Sequence, residues 1–373
     1  MRTVARDLKV DVSTVSYWVS RTRGRRLDRV DLSNRKPGRA WNRTNRKVER
    51  KIVSLRSKLS DGVLGEFGAE AIAEALRTRT DQCPSRATIN RVLARHGKQD
   101  GARRIRRPAP PKGWYLPAVA AREAEIDCFD FIEDLKIAKG PMTDVLTAQS
   151  VHGALTDAWV VGGKSTKKTV FLLLKRWRRD GLPEYAQFDN DTVFQGAHQF
   201  PDTVGGVSRL CLQLGIIPVF APPAEHGPQN VIESYNNLWQ EKVWQRHHVG
   251  TIAQLQVHSD RYVAAHRARH AAKVDNTPAR RPLPASFRFD LQAPLSGMMI
   301  YIRRTNERGE VRNVLGRVLA IDPAWRHRLV RCEVDFTGKE IRCFGLRRRA
   351  PAEQPHLITI NYHRIDKAFK GTL

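Results

Sequence analysis

The stretch Ala124-Glu125-Ile126-Asp127-Cys128-Phe129-Asp130-Phe131-Ile132 decides how this chain is read. It is apolar enough to be a strand inside a sheet, yet Asp127 stands within the run Ile126-Asp127-Cys128-Phe129. An ionised carboxylate there is costly unless a cation or a metal ion compensates it. Further strand-like runs follow at 143–148, 153–161, 185–188 and 216–220, with helical stretches at 167–179, 200–214 and 230–246. This texture, held from 121 to 249, predicts a mixed α/β domain.

Two more acids are placed where chemistry is usually done. Asp189 closes the strand Tyr185-Ala186-Gln187-Phe188, at the carboxyl end where side chains converge in an open α/β sheet. Glu233 falls in the first turn of the helix that starts at Asn230, where a carboxylate suits the helix dipole. Oxygen ligands of this kind suit Mg²⁺ or Mn²⁺, and a two-metal site activates an attacking oxygen and stabilises a leaving one. Each acid has a plainer reading: Asp127 pairs with a nearby arginine, Asp189 caps a turn, and Glu233 is an ordinary first-turn residue. Asp130, three residues past Asp127, lies on the opposite face of a regular strand and is the weaker rival for the first ligand.

In order, Glu125-Ile126-Asp127-Cys128, Gln187-Phe188-Asp189-Asn190-Asp191-Thr192-Val193-Phe194 and Gly227-Pro228-Gln229-Asn230-Val231-Ile232-Glu233-Ser234-Tyr235-Asn236 resemble the three catalytic motifs of the retroviral-integrase-like transposases. The likeness spans roughly residues 121–247, and the flanks resemble those of bacterial insertion-sequence transposases. The resemblance implies an RNase H-like core with a mixed sheet. Asp127 would lie on the first strand, Asp189 after the fourth and Glu233 on the helix after the fifth, all three catalytic and all three metal ligands. It also implies DNA strand transfer without a covalent protein intermediate. Two departures stand out: Asp189-Asn190-Asp191 replaces the commoner Asp-Asn-Gly, making Asp191 an alternative ligand, and the gap from Asp189 to Glu233 is longer than usual.

The flanking segments look made for DNA. Residues 1–30 pattern as a helix-turn-helix, with Ser13 or a neighbour capping the second helix, and its first helix is short enough to be read as clipped. Its outward Thr14, Ser16 and Tyr17, with Arg21 following, would meet a groove and its phosphates. A second helical unit at 47–97 ends in a helix that turns Arg86, Asn90, Arg91 and Arg95 away from Ile89, Val92 and Leu93, with Gly97 where a helix-stopping glycine belongs. The stretch 98–120, with Arg103, Arg104, Arg106 and Arg107 among prolines, is a basic linker. A basic helix and linker occupy 250–290, and short strands with tight turns over 295–350 predict an all-β SH3-like barrel. That last region is rich in arginine, Arg303, Arg331, Arg347 and Arg348 among them, as phosphate binding requires. On the Glu233 helix, Asn236, Asn237 and Gln240 share the face of Glu233 and would reach the DNA end.

Bulk composition agrees. With 373 residues the chain is multidomain, and 41% hydrophobic residues against 28% charged ones is ordinary for folded protein. A net charge of +27 selects a polyanion as partner. No apolar run reaches membrane-spanning length and no signal peptide opens the chain, which points to a cytoplasmic, DNA-associated protein. Cys83, Cys128, Cys211, Cys332 and Cys343 show no zinc-ligand spacing and read as reduced thiols.

The leading expectation is therefore a DNA transposase or integrase, cutting and joining strands at mobile-element ends with Mg²⁺ or Mn²⁺. Its partners would be terminal repeats, target DNA and further copies of itself on paired ends. The alternative is a catalytically inactive, transposase-derived DNA-binding regulator. An RNase H-type nuclease shares the acids but leaves two DNA-reading units and a basic barrel without a use.

Overall fold

In the computed structural model the described residues are 1–22, 44–78, 83–99, 110–138, 140–197, 200–222 and 226–363. The chain divides into two compact units, Met1–Leu55 with Ile72–Gln99, and Arg56–Ala71 with Asp100–Leu373.

The first unit is helical. α1 (Arg2–Asp7) and α2 (Val12–Thr22) form a short pair in which only Ala5 and Val15 are buried. α2 is capped by Asp11, whose carboxylate accepts from the Ser13 amide at 2.8 Å, so the neighbour and not Ser13 supplies the cap. α3 (Arg46–Asp61), α4 (Ala69–Arg77) and α5 (Arg86–Arg95) follow, α3 and α4 contributing residues to both units. Ile52, Leu55, Ile72, Leu76, Ile89, Val92 and Leu93 are buried, as the helical spacing of the apolar positions requires. Ser85 caps α5, and Gly97, as expected, takes the left-handed conformation beyond its end.

The second unit is organised by one nine-stranded sheet. After the short α6 (Pro117–Ala120) come β1 (Ile126–Lys136), β2 (Met142–Ser150), β3 (Thr156–Val161), α7 (Thr166–Asp180), β4 (Tyr185–Phe188), α8 (Thr192–Gln195), α9 (Gly206–Gln213), β5 (Ile217–Phe220) and α10 (His226–Trp239). A π-helical turn, Gln240–Trp244, extends α10, and α11 (Ile252–Val274) follows. Strands β1, β4 and β5 are parallel, while β2 and β3 run antiparallel at one edge. The mixed sheet predicted for 121–249 is present.

The C-terminal strands differ from expectation in how they are attached. β6 (Met298–Arg304), β7 (Glu310–Val314), β8 (Arg317–Ala320), β9 (Leu329–Asp335), β10 (Glu340–Leu346) and β11 (His356–Asn361) do form, β7 and β8 as a separate two-stranded ladder. The other four do not close on themselves as a barrel set apart from the core. β6 pairs in parallel with β5 through Val219↔Ile300 and Phe220↔Tyr301, and the order runs β11-β10-β9-β6-β5-β4-β1-β2-β3. The reason is burial on both faces. Phe129, Phe188 and Phe220 share one apolar core with Met299, Tyr301, Val330 and Cys332 beneath α7 and α9. Cys128, Val145 and Val219 share the other with Ile300 and Ile302 beneath α10 and α11. All five cysteines are free, Cys332 and Cys343 facing each other across β9 and β10 with their sulfurs 3.7 Å apart.

Candidate active site

Strand alternation sorts the acids of β1. Phe129 and Phe131 point into the core beneath α7, so Asp127 points there too, whereas Cys128, Asp130 and Ile132 face α10. The parallel ladder pairs Ile126↔Tyr185, Asp127↔Ala186 and Cys128↔Gln187, and two residues further the same offset sets Asp130 beside Asp189. Asp189 shares the face of Gln187, the face that α10 covers with Glu233.

Several contacts fix these groups. Asn236, one turn beyond Glu233, donates its Nδ2 to Asp130 Oδ2 at 2.8 Å, and the Thr147 hydroxyl on β2 holds Asn236 Oδ1 at 2.6 Å. The Phe131 amide reaches Asp130 Oδ1 at 2.9 Å, and the Asp191 amide reaches Asp189 Oδ1 at 3.0 Å. At the base of α10, Gln187 Nε2 and the Tyr115 hydroxyl both donate to the Pro228 carbonyl at 3.1 Å. α10 begins at His226, so Glu233 lies two turns inside the helix and not in its first turn, where the dipole would have favoured it.

Negative charge accumulates here. Burial, then the charge of Asp189 and of Glu233, pushes the Asp130 carboxyl up to about 7. Asp189 is also raised, first by burial and then by Asp191, with Lys164 acting against the rise. Lys164 forms ion pairs with both Glu133 on β1 and Asp191 after β4, tying the two strands that carry Asp130 and Asp189. Asp191, the alternative ligand, is thereby engaged: it pairs with Lys164 and caps α8 through the Val193 amide at 2.8 Å. Among the described residues no three His, Cys, Asp or Glu side chains stand as a ready metal cluster. The donor set of Asp130, Asp189 and Glu233 is nonetheless the all-oxygen kind that hard divalent cations take, a few carboxylates being completed by water and phosphate.

The raised Asp130 group makes a test. The folded chain holds that proton more tightly than the unfolded chain, so its stabilisation is complete below the ordinary carboxylate range and is lost as pH rises to about 7. In chelator, Asp130→Asn is therefore expected to gain on the parent protein as pH rises from 5 to 8, by roughly 2–3 kcal/mol. Urea unfolding of both proteins at the two pH values checks this; a pH-independent difference contradicts it.

Asp127, expected as the first of the three ligands, is not brought together with Asp189 and Glu233. It pairs with Ala186, three residues before Asp189, about 10 Å away along the strand and on the other face. It is fully buried and engaged by Arg176 Nε and Nη2, each at 3.0 Å, by Trp177 Nε1 at 3.2 Å, and by Arg280. Burial alone would raise its carboxyl, but the two guanidiniums overcome that and hold it well below the usual range. Arg176 continues to Asp157 at 2.6 Å, and Arg267 bridges Asp157 and Asp180. The network knits β1, β3, α7, α11 and the segment carrying Arg280. Gly181 allows that segment to approach, since a Cβ there would lie 2.8 Å from Arg280 Cβ.

With this geometry in hand, the chain can be set beside known proteins. No family model and no curated protein sequence matches it. Among solved structures it is similar to the catalytic core domain of BIV integrase, at 17% identity and a TM-score of 0.28, over 36% of this chain and 79% of that one. It is also similar to a chain of the simian T-cell lymphotropic virus intasome in complex with PP2A regulatory subunit B56 gamma, at 12% identity and a TM-score of 0.33, over 65% of this chain and 81% of that one. Neither match assigns a residue or an activity.

The expected DNA-contacting residues are distributed as follows. Thr14, Ser16 and Tyr17 are exposed on α2, with Arg21 donating to the Tyr17 hydroxyl at 2.6 Å. Arg86 and Arg91 are exposed and Asn90 half-buried on α5, while Arg95 is tied to buried Glu49 at 2.8 Å. Arg103, Arg104, Arg106 and Arg107 lie outside the described residues. Asn237 is exposed and Gln240 half-buried. Arg348 is exposed, and exposed Arg347 pairs with Glu353 at 2.8 Å. Arg303 and Arg331 are buried and bind the chain's own groups, so they are unavailable to phosphates. No helix among the described residues is long and apolar enough to cross a membrane.

From the residues alone Asp130 was only the weaker rival for the first ligand, and neither Asn236 as its partner nor Lys164 was singled out. A signal for Asp130 was present: Phe129 and Phe131 alternate with it, and a side chain meeting Asp189 at the strand ends must lie toward the carboxyl end of β1.

Proposed function

We propose that this protein is a metal-dependent polynucleotidyl transferase that cleaves and joins DNA at mobile-element ends, with Asp130, Asp189 and Glu233 as its metal-binding carboxylates. The observation that carries the reading is the meeting of acids from β1, the end of β4 and α10 on one sheet face, where burial and mutual repulsion lift Asp130. Uncompensated, such a group destabilises the fold; its persistence is accounted for by a cation. Divalent cations bound there would supply Lewis-acid activation of water or a 3′-hydroxyl and neutralise charge on the leaving oxygen. The chain's own contribution is orientation. Asn236 and the Phe131 amide each hold one oxygen of Asp130, and the Asp191 amide holds one oxygen of Asp189.

DNA is the substrate that the +27 charge favours, and assembly of copies on paired ends would bring two such sites to two strands. The test uses purified full-length chain. Mn²⁺ titration calorimetry is expected to show binding that Asp189→Asn abolishes, and Mn²⁺ or Mg²⁺ is expected to support nicking of supercoiled DNA by the parent protein. DNA binding with no metal heat and no nicking would replace the enzyme by a DNA-binding regulator.

A further inference from the structure

Arg303, on β6, is 3% exposed, yet every acceptor it meets among the described residues is neutral. Its Nη1 donates to the carbonyls of Ile302 at 2.9 Å and Ala221 at 3.2 Å, and its Nη2 to Asn313 O at 3.2 Å and to Asn190 Oδ1 at 2.8 Å. Its Nε has no partner among the described residues. Burying a guanidinium against neutral groups is expensive, and burial pulls this one down to about 10, still charged at neutral pH. A lysine would present a single point of charge; only a planar fork spans the end of β5, its own strand, the β7 segment and Asn190 together.

Asn190 is the residue next to Asp189. Its side chain is gripped twice, by Arg303 and by the Ala221 carbonyl, to which its Nδ2 donates at 2.8 Å. The turn Asp189-Asn190-Asp191 is thus held on one side by Arg303 and on the other by Lys164. We propose that Arg303 is a positioning residue for the Asp189 carboxylate, through which the first C-terminal strand completes the metal site. This rests on the reading of Asp189 as a metal ligand. It makes the C-terminal strands part of the catalytic machinery, beyond any role in holding DNA.

Groups that orient a ligand change metal affinity without touching the metal. In the full-length chain, Asn190→Ala and Arg303→Gln are each expected to weaken Mn²⁺ binding about tenfold in calorimetry. Because both break one linkage, the double variant should be weakened about tenfold as well, not a hundredfold. Arg303→Lys should recover little, since it cannot form the fork. Unfolding curves in chelator separate lost affinity from lost fold, and if the Arg303 variants do not fold, Asn190→Ala decides alone. Folded Asn190→Ala with parental Mn²⁺ affinity overturns the proposal, as do additive losses in the double variant. Asp189→Asn is the control: if it still binds Mn²⁺, the ligand assignment fails; if it does not while Asn190→Ala does so normally, only the role of Arg303 fails.

Discussion

Asp130→Asn is expected to abolish metal-dependent DNA nicking and strand transfer, by roughly 10³-fold or more, in a protein that remains folded. The magnitude follows from the chemistry: a ligand whose loss removes about 4 kcal/mol of transition-state charge stabilisation lowers the rate about 10³-fold. Folding should not suffer, because the parent carboxyl is an energetic burden at neutral pH, crowded by Asp189 and Glu233. Asparagine keeps the shape and one acceptor oxygen, enough for one of the two donors, Asn236 or the Phe131 amide. Circular dichroism with a nicking assay at saturating Mn²⁺ checks both halves. Activity within tenfold of the parent would remove Asp130 from the site.

The mirror-image outcome is expected at Asp127. Asp127→Ala leaves the guanidiniums of Arg176 and Arg280 facing a buried void, and breaking a buried ion pair from one side costs about 3–5 kcal/mol. Urea unfolding should therefore show a large fall in midpoint, while the fraction that remains folded nicks DNA within a few-fold of the parent. Asp127→Asn, which retains one acceptor for Arg176, should be milder. An Asp127→Asn protein with parental stability and no activity would restore this residue to catalysis and refute the assignment made here.

The two aspartates illustrate what was legible in the residues. That β1 would be an interior strand, that Asp189 would end β4, and that Glu233 would stand on the helix after β5 all followed from apolar runs, their lengths and their order. So did the helices α7 and α11 and four of the C-terminal strands. The motif Glu125-Ile126-Asp127-Cys128 drew attention to a carboxylate that the fold pairs with arginines, because a sequence segment shows that an acid is buried but not what compensates it. The partners of Asp127 lie at 176 and 280, far along the chain. The plainer reading of Asp127, a pairing with arginine, is the one the fold realises.

By itself, then, the sequence determined the α/β class, the strands and helices of the core, two of the three acids now proposed as ligands, and a charge suited to DNA. These depend on local periodicity and composition, which neighbouring residues set. Only the tertiary structure decided that Asp130 meets Asp189, that Asp127 belongs to an arginine network, and that the C-terminal strands continue the core sheet. Each is settled by strand register and by which faces are buried together, and register is an agreement between segments distant in the chain.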